Sequence, residues 1–267
     1  MNRIDRTFSE LREQGVSAFI PFFTAGDPDL DTTEKLIRAA EKAGADLIEL
    51  GFPYSDPIAD GPTIQASYTR ALDRGQRTED VFRLVSSLRE KSEIPVVAMI
   101  SYSLVFRMGF ENFVDRALKA GIDGATIPDL PVEESEEYQA IAAERDFHVV
   151  NFVTPETTDA RRDAVVRLAS GFIYYIAVRG ITGERDSLPD DLIENIDRLK
   201  SRTDVPVAVG FGISQPEQAR SVGRVAEGVI VGSAILKRIN RASEEGQDPV
   251  EAASAFVEEM ARAAKQR

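Results

Sequence analysis

Eight short apolar runs, rich in β-branched and aromatic residues, recur along the 267-residue chain at 17–24, 46–52, 96–101, 124–128, 148–154, 171–178, 206–211 and 228–232. Amphipathic stretches separate them, among them 32–43, 78–91, 110–120, 132–145 and 190–201, where apolar residues repeat at i, i+3 and i+4. The short runs fit buried strands, and the longer stretches fit helices with one face on a core. Strands that alternate with helices pair in parallel, because each helix carries the chain back across the sheet. Eight such units in this length favour closure, so the expected fold is α/β, a (β/α)8 TIM barrel. A doubly wound open sheet would want a glycine-rich dinucleotide fingerprint after its first strand, and Thr24-Ala25-Gly26-Asp27-Pro28 is not one.

The punctuation agrees with this frame. Gly44 and Gly121 stand before the second and fourth runs, where glycine ends a helix. Pro95 and Pro206 open strands, where a missing N–H is tolerated. Ile4, Phe8 and Leu11 fall at helical spacing within 1–15, which predicts an extra N-terminal helix, and 249–265 predicts a C-terminal one. No low-complexity linker divides the chain, so 1–267 is expected to form one barrel domain. The segments 53–61 and 179–189 are longer than a barrel needs and follow strands two and six. Extra length on the strand-to-helix side marks the active face of a barrel.

Composition removes several chemistries. The chain has no cysteine, so thiolate nucleophiles and Cys-ligated zinc are excluded. His148 is the single histidine and opens a strand at the end away from the active face, which points to a structural role and to no metal site. A Schiff-base aldolase needs a lysine at a strand end. Lys35, Lys42, Lys91, Lys119, Lys200, Lys237 and Lys265 are all expected on helices. The net charge of −13 disfavours nucleic acid as a partner. The run 18–23 is too short for a signal peptide or a membrane span, so the expected compartment is the cytoplasm.

Carboxylates remain. Glu49 sits near the C-terminal end of the second run, on the strand face it shares with Leu47. Desolvation inside a barrel would raise its pKa and suit it to proton transfer near neutral pH; a structural ion pair with an arginine across the barrel is the alternative. Asp56 and Asp60 lie in a proline-stiffened loop and read either as turn residues or as a second carboxylate over the same pocket. Glycine-rich ends follow strands six, seven and eight at Gly180 and Gly183, Gly210 and Gly212, and Gly232, the last opening a helix with Ser233. Barrels bind phosphate with such strand ends and a helix N-terminus. These features point to metal-free, carboxylate-driven chemistry on a small phosphorylated compound.

The segment LIELGFPYSDPIADGP at 47–62 resembles the signature of the tryptophan synthase α chain family. FFTAGDP at 22–28, PDLPVEE at 128–134, GITG at 180–183, GFGIS at 210–214 and VGSA at 231–234 match in order, so the resemblance spans nearly the whole chain. It implies retro-aldol cleavage of indole-3-glycerol phosphate to indole and glyceraldehyde 3-phosphate. By the same resemblance Glu49 protonates the indole carbon and shuttles the glycerol hydroxyl proton, and Asp60 stabilises charge developing at the indole N–H. Tyr174 and Thr182 would support the site, with Thr182 in a mobile lid. Gly183, Gly212, Gly232 and Ser233 would contact phosphate, and Phe22 and Phe211 would line the indole pocket. The family pairs with a β chain that carries pyridoxal phosphate, this chain having no cofactor, and Pro53, Asp56 and Pro131 fall where α–β contacts lie. Ser101 and Ser103 stand where the family shows a Tyr-x-Asn element, and Ala177 replaces a frequent serine. The strand-three departure admits a stand-alone lyase that releases free indole.

Overall fold

The computed structural model describes residues 1–177, 191–210 and 212–266. In chain order these form α1 (Arg3–Gln14), β1 (Ala18–Thr24), α2 (Leu30–Lys42), β2 (Ile48–Gly51), α3 (Pro62–Asp73), α4 (Thr78–Arg89), β3 (Val96–Met99), α5 (Tyr102–Met108), α6 (Phe110–Ala120) and β4 (Gly124–Thr126). A 3-10 turn (Val132–Glu134) leads to α7 (Ser135–Glu144), β5 (His148–Val153), α8 (Asp159–Leu168), β6 (Ile173–Ile176), α9 (Leu192–Lys200), β7 (Val207–Gly210), α10 (Pro216–Gly223), β8 (Gly228–Val231), α11 (Ser233–Glu244) and α12 (Pro249–Ala264). Each strand pairs in parallel with the next, and β8 closes on β1. The chain therefore forms the expected (β/α)8 TIM barrel, with α1 before it and α12 after it.

Alternation along each strand sends every second side chain inward. The register then sorts the inward residues into layers drawn from alternate strands. Leu47, Gly124, Phe172 and Gly228 make the lowest, and Ile20, Val97, Val150 and Ala208 the next. Glu49, Thr126, Tyr174 and Ile230 make the third, at the C-terminal end of the even-numbered strands. Ile48 and Leu50 face outward into the core between barrel and helices. Two layers are thus ordinary packing, and the third carries the polar groups.

α1 closes the opposite end. Ile4, Phe8 and Leu11 are buried in one cluster with Ile20, Leu47 and Val97, and the rings of Phe8 and Phe172 lie 5.8 Å apart. Gly124 makes room for this plug: a methyl group there would stand 2.8 Å from the His148 carbonyl and 3.2 Å from Ile4 Cδ1. Asn2 caps α1 by accepting from the Ile4 N–H at 2.9 Å. Its amide also donates to the carbonyls of Asp123 at 2.9 Å and Asp146 at 2.7 Å. His148 Nε2 lies 3.0 Å from Asp5 Oδ1 on α1, at the end away from the site. At the seam, Lys265 Nζ donates to the Gly44 carbonyl and to Asp46 Oδ1, each at 2.9 Å.

Several boundaries differ from the sequence expectation. Apolar runs outlast the ladders, since Leu47, Phe52 and Ile127 stay buried outside them; 46–52 pairs only as Ile48–Gly51, and 124–128 only as Gly124–Thr126. The helix expected over 132–145 is a 3-10 turn followed by α7. Lys91 and Lys265 lie in turns past the last residues of α4 and α12 rather than on helices; the other five lysines are helical. Among the described residues no helix is long and apolar enough to cross a membrane.

Candidate active site

Glu49 is the second residue of β2 and is 3 % exposed. It looks into a cavity of about 240 Å³ at the C-terminal mouth of the barrel, lined also by Phe22, Asp60, Tyr174, Gly212, Gly232 and Ser233. Among the described residues no basic side chain pairs with it, so the ion-pair alternative finds no partner. Its hydrogen bond comes instead from Thr126 on β4, whose hydroxyl donates to Oε1 at 3.0 Å. Burial raises the Glu49 pKa, Thr126 opposes the rise, and nearby Asp60 adds to it, leaving the carboxyl at about 8.

Asp60 reaches the same cavity because its loop folds back over β2. The Ile58 N–H donates to the Asp56 carbonyl at 2.8 Å, and the Asp60 N–H to the Pro57 carbonyl at 3.1 Å. Gln65 in α3 ties the turn down, donating to the carbonyls of Pro57 at 3.1 Å and Asp60 at 2.7 Å. The Asp60 carboxyl is 4 % exposed and accepts from the Tyr54 hydroxyl at 3.4 Å. Burial lifts it to about 7, Tyr54 working against the lift and Asp129 adding to it. Two carboxyls therefore share one cavity with their pKa values near neutrality, the condition for acid and base to operate together. Burial and the same carboxylates raise the hydroxyl pKa values of Tyr174 and Tyr68, so both stay phenols.

The phosphate-type features meet on one side of the mouth. β7 ends at Gly210, and Gly212 follows at φ +81°, a backbone that favours glycine. Gly210 itself must be small, because a methyl group there would collide with the Tyr174 hydroxyl. Gly232 precedes Ser233, the first residue of the twelve-residue α11, whose first turn holds no acidic residue. A helix start without a nearby carboxylate keeps its positive end for an outside anion.

The structure brings Phe22, Glu49, Asp60, Tyr174, Gly212, Gly232 and Ser233 to one cavity. Thr182, Gly183 and Phe211, with Gly180, lie outside the described residues. Pro53, Asp56 and Pro131 do not line that cavity; Asp56 and Pro131 are exposed and Pro53 is buried in the chain. Sequence reasoning missed Thr126 and Tyr54, and also Met99, Phe152 and Ile64, which give the cavity apolar walls. Strand alternation could have found Met99 and Phe152, which lie on the inward faces of β3 and β5. Ser101 caps α5, accepting from the Leu104 N–H at 3.3 Å, and its hydroxyl lies 2.7 Å from that of Ser103.

A family model described as tryptophan synthase alpha chain matches residues 8–265. The chain is 48% identical over 261 residues to a tryptophan synthase alpha chain from Rhodopirellula baltica, covering 95% of this chain and 94% of that one. The structure of tryptophan synthase subunit alpha from Legionella pneumophila str. Paris is similar at a TM-score of 0.92 and 34% identity, over 99% of this chain and 98% of that one. A chain in a structure of the tryptophan synthase a2b2 complex from Pyrococcus furiosus is similar at a TM-score of 0.84 and 38% identity, over 91% and 97%.

Proposed function

The chain belongs to the tryptophan synthase alpha chain family, and from that premise we propose how its barrel mouth cleaves indole-3-glycerol phosphate to indole and glyceraldehyde 3-phosphate. The reaction is a retro-aldol carbon–carbon cleavage in tryptophan biosynthesis. The observation that carries the residue assignment is the pair Glu49 and Asp60, two buried carboxyls lining one cavity with pKa values of about 8 and about 7.

Near neutral pH Glu49 keeps its proton and a substantial fraction of Asp60 has lost its own. Glu49 gives the proton to the indole carbon that bears the glycerol chain. The ring nitrogen becomes positive, and the Asp60 carboxylate stabilises its N–H. The Glu49 carboxylate then accepts the proton of the adjacent glycerol hydroxyl. The carbon–carbon bond breaks, its electron pair neutralises the ring, and the hydroxyl carbon leaves as an aldehyde. Glu49 ends protonated, so no external acid or base is consumed. Phe22 and Phe211 pack the indole, Tyr174 supports the site with Thr182, and Gly183, Gly212, Gly232 and Ser233 hold the phosphate through backbone N–H groups and the start of α11.

The chain works as the α subunit with a tryptophan synthase β chain, in an α2β2 assembly, through a face that includes Pro53, Asp56 and Pro131. The α reaction uses no cofactor in this chain; pyridoxal phosphate belongs to the β chain. Residues 1–267 act as one barrel domain in the cytoplasm. An indole-release assay tests the assignment. Glu49→Gln is expected to abolish turnover with substrate still bound, and Asp60→Ala to cut it by roughly a hundredfold or more. Near-normal turnover in the first variant removes the proton shuttle, and in the second returns Asp60 to the role of a turn residue.

A further inference from the structure

Thr126 is the one residue that hydrogen-bonds the Glu49 carboxyl among the described residues, yet it carries no family signature and does not line the cavity. It is fully buried and lies behind Glu49, two strands away in the same interior layer. Its hydroxyl has a second acceptor, the Ala98 carbonyl on β3, at 3.5 Å. A hydroxyl has one proton to donate and lone pairs to accept with, and it rotates between partners. A group that shuttles a proton must be held both with and without it, and a fixed N–H donor would serve only the carboxylate.

We propose that Thr126 is a positioning residue for Glu49, a rotating hydroxyl that holds the carboxyl in both of its protonation states. When Glu49 is ionised, Thr126 donates to Oε1. When Glu49 carries the proton on Oε1 between turnovers, Thr126 turns its own hydrogen to the Ala98 carbonyl and accepts from the Glu49 O–H; for transfer to the indole carbon the proton sits on the other oxygen, and Thr126 again donates to Oε1. No atom is transferred to Thr126; it exchanges one hydrogen bond for another in step with the shuttle. This rests on the proton-transfer role proposed for Glu49. The other titratable groups that face Glu49 are Asp60 from the loop after β2, Tyr68 from α3 and Tyr174 from β6.

The test compares Thr126→Val, which keeps the shape and loses the hydroxyl, with Thr126→Ser, which keeps the hydroxyl. Indole release by the purified chain is followed across a pH series, with Glu49→Gln alongside. Thr126→Val is expected to lower kcat about tenfold with KM little changed. It should also move the alkaline limb of the profile to higher pH, because of the two bonds lost the charge-assisted one to the ionised form is the stronger. Thr126→Ser should restore most of kcat and the original limb, and Thr126→Ala repeats the loss with no risk of crowding. Wild-type kcat and an unmoved limb in Thr126→Val, beside an inactive Glu49→Gln, overturn the inference and leave the role of Glu49 standing. A slow Thr126→Val with an unmoved limb, not rescued by Thr126→Ser, also overturns it, and a normal Thr126→Val beside a slow Thr126→Ser reduces Thr126 to space filling. An active Glu49→Gln overturns the shuttle and the Thr126 inference with it.

Discussion

Glu49 holds its proton up to about pH 8 in the folded chain, against an ordinary value of 4.5. Between those values the folded protein binds a proton that the unfolded chain has released, so stability falls as pH rises through that window. The loss accumulates to a few kcal/mol at most for a shift of this size. Asp60 acts in the same direction between 3.8 and about 7. Glu49→Gln, which cannot ionise, should therefore flatten the fall in melting temperature between mildly acidic and mildly alkaline buffer, and parallel curves for variant and wild type would refute this. Glu49 was legible as a carboxylate on the inward face of a strand, and Asp60 only as one of two acids in a stiff loop. Thr126 was not legible, because threonine in a β-rich run is ordinary and its value depends on which strand lies two places away. Tyr54 was hidden for a similar reason, since only the folded-back loop brings its hydroxyl to Asp60.

At the scale of elements, periodicity revealed which segments pair and which pack, but not where pairing stops. The run 46–52 is mostly apolar and buried, while only Ile48–Gly51 joins the ladder, since burial of Leu47 and Phe52 does not require a strand partner. α1 was expected from Ile4, Phe8 and Leu11; that it plugs the barrel was not, because a stripe does not say which surface it meets. The plug makes a quantitative claim. Phe8 is 5 % exposed and packs on Phe172, so Phe8→Ala should cost about 3–5 kcal/mol, read as a lowered midpoint in denaturant. The site lies at the far end of the barrel, so KM for substrate should hold in the folded fraction. A change below about 0.5 kcal/mol would mean that α1 lies loosely on the barrel rather than sealing it.

Across the whole molecule, the active face and the proposed partner face adjoin. The loop that ends in Asp60 also carries Asp56 at the surface, and Ile58 between them is 89% exposed. A partner that covers this loop would fix the carboxylate at its end without touching substrate. Adding a cognate β chain should raise indole release by the α chain, and Asp56→Ala should weaken that activation. Equal turnover with and without the β chain, with no co-elution, would favour a stand-alone lyase instead. The eight-unit barrel was legible from alternation alone. The partner face at Pro53, Asp56 and Pro131 was read only through the family resemblance, and Ser101 and Ser103 say only how α5 is capped.

Glu49, Thr126, Tyr174 and Ile230 arrive from four strands, whereas Asp60, Gly212 and Ser233 arrive from connections and a helix start. Such a division lets a lineage exchange whole rim segments, and with them the compound recognised, while the proton-handling floor stays in place. The reverse also holds, since one substitution on a strand retunes acidity without redrawing the pocket's outline. Laboratory evolution of barrels built this way gains from two separate libraries, one confined to the inward strand positions and one to the loops above them.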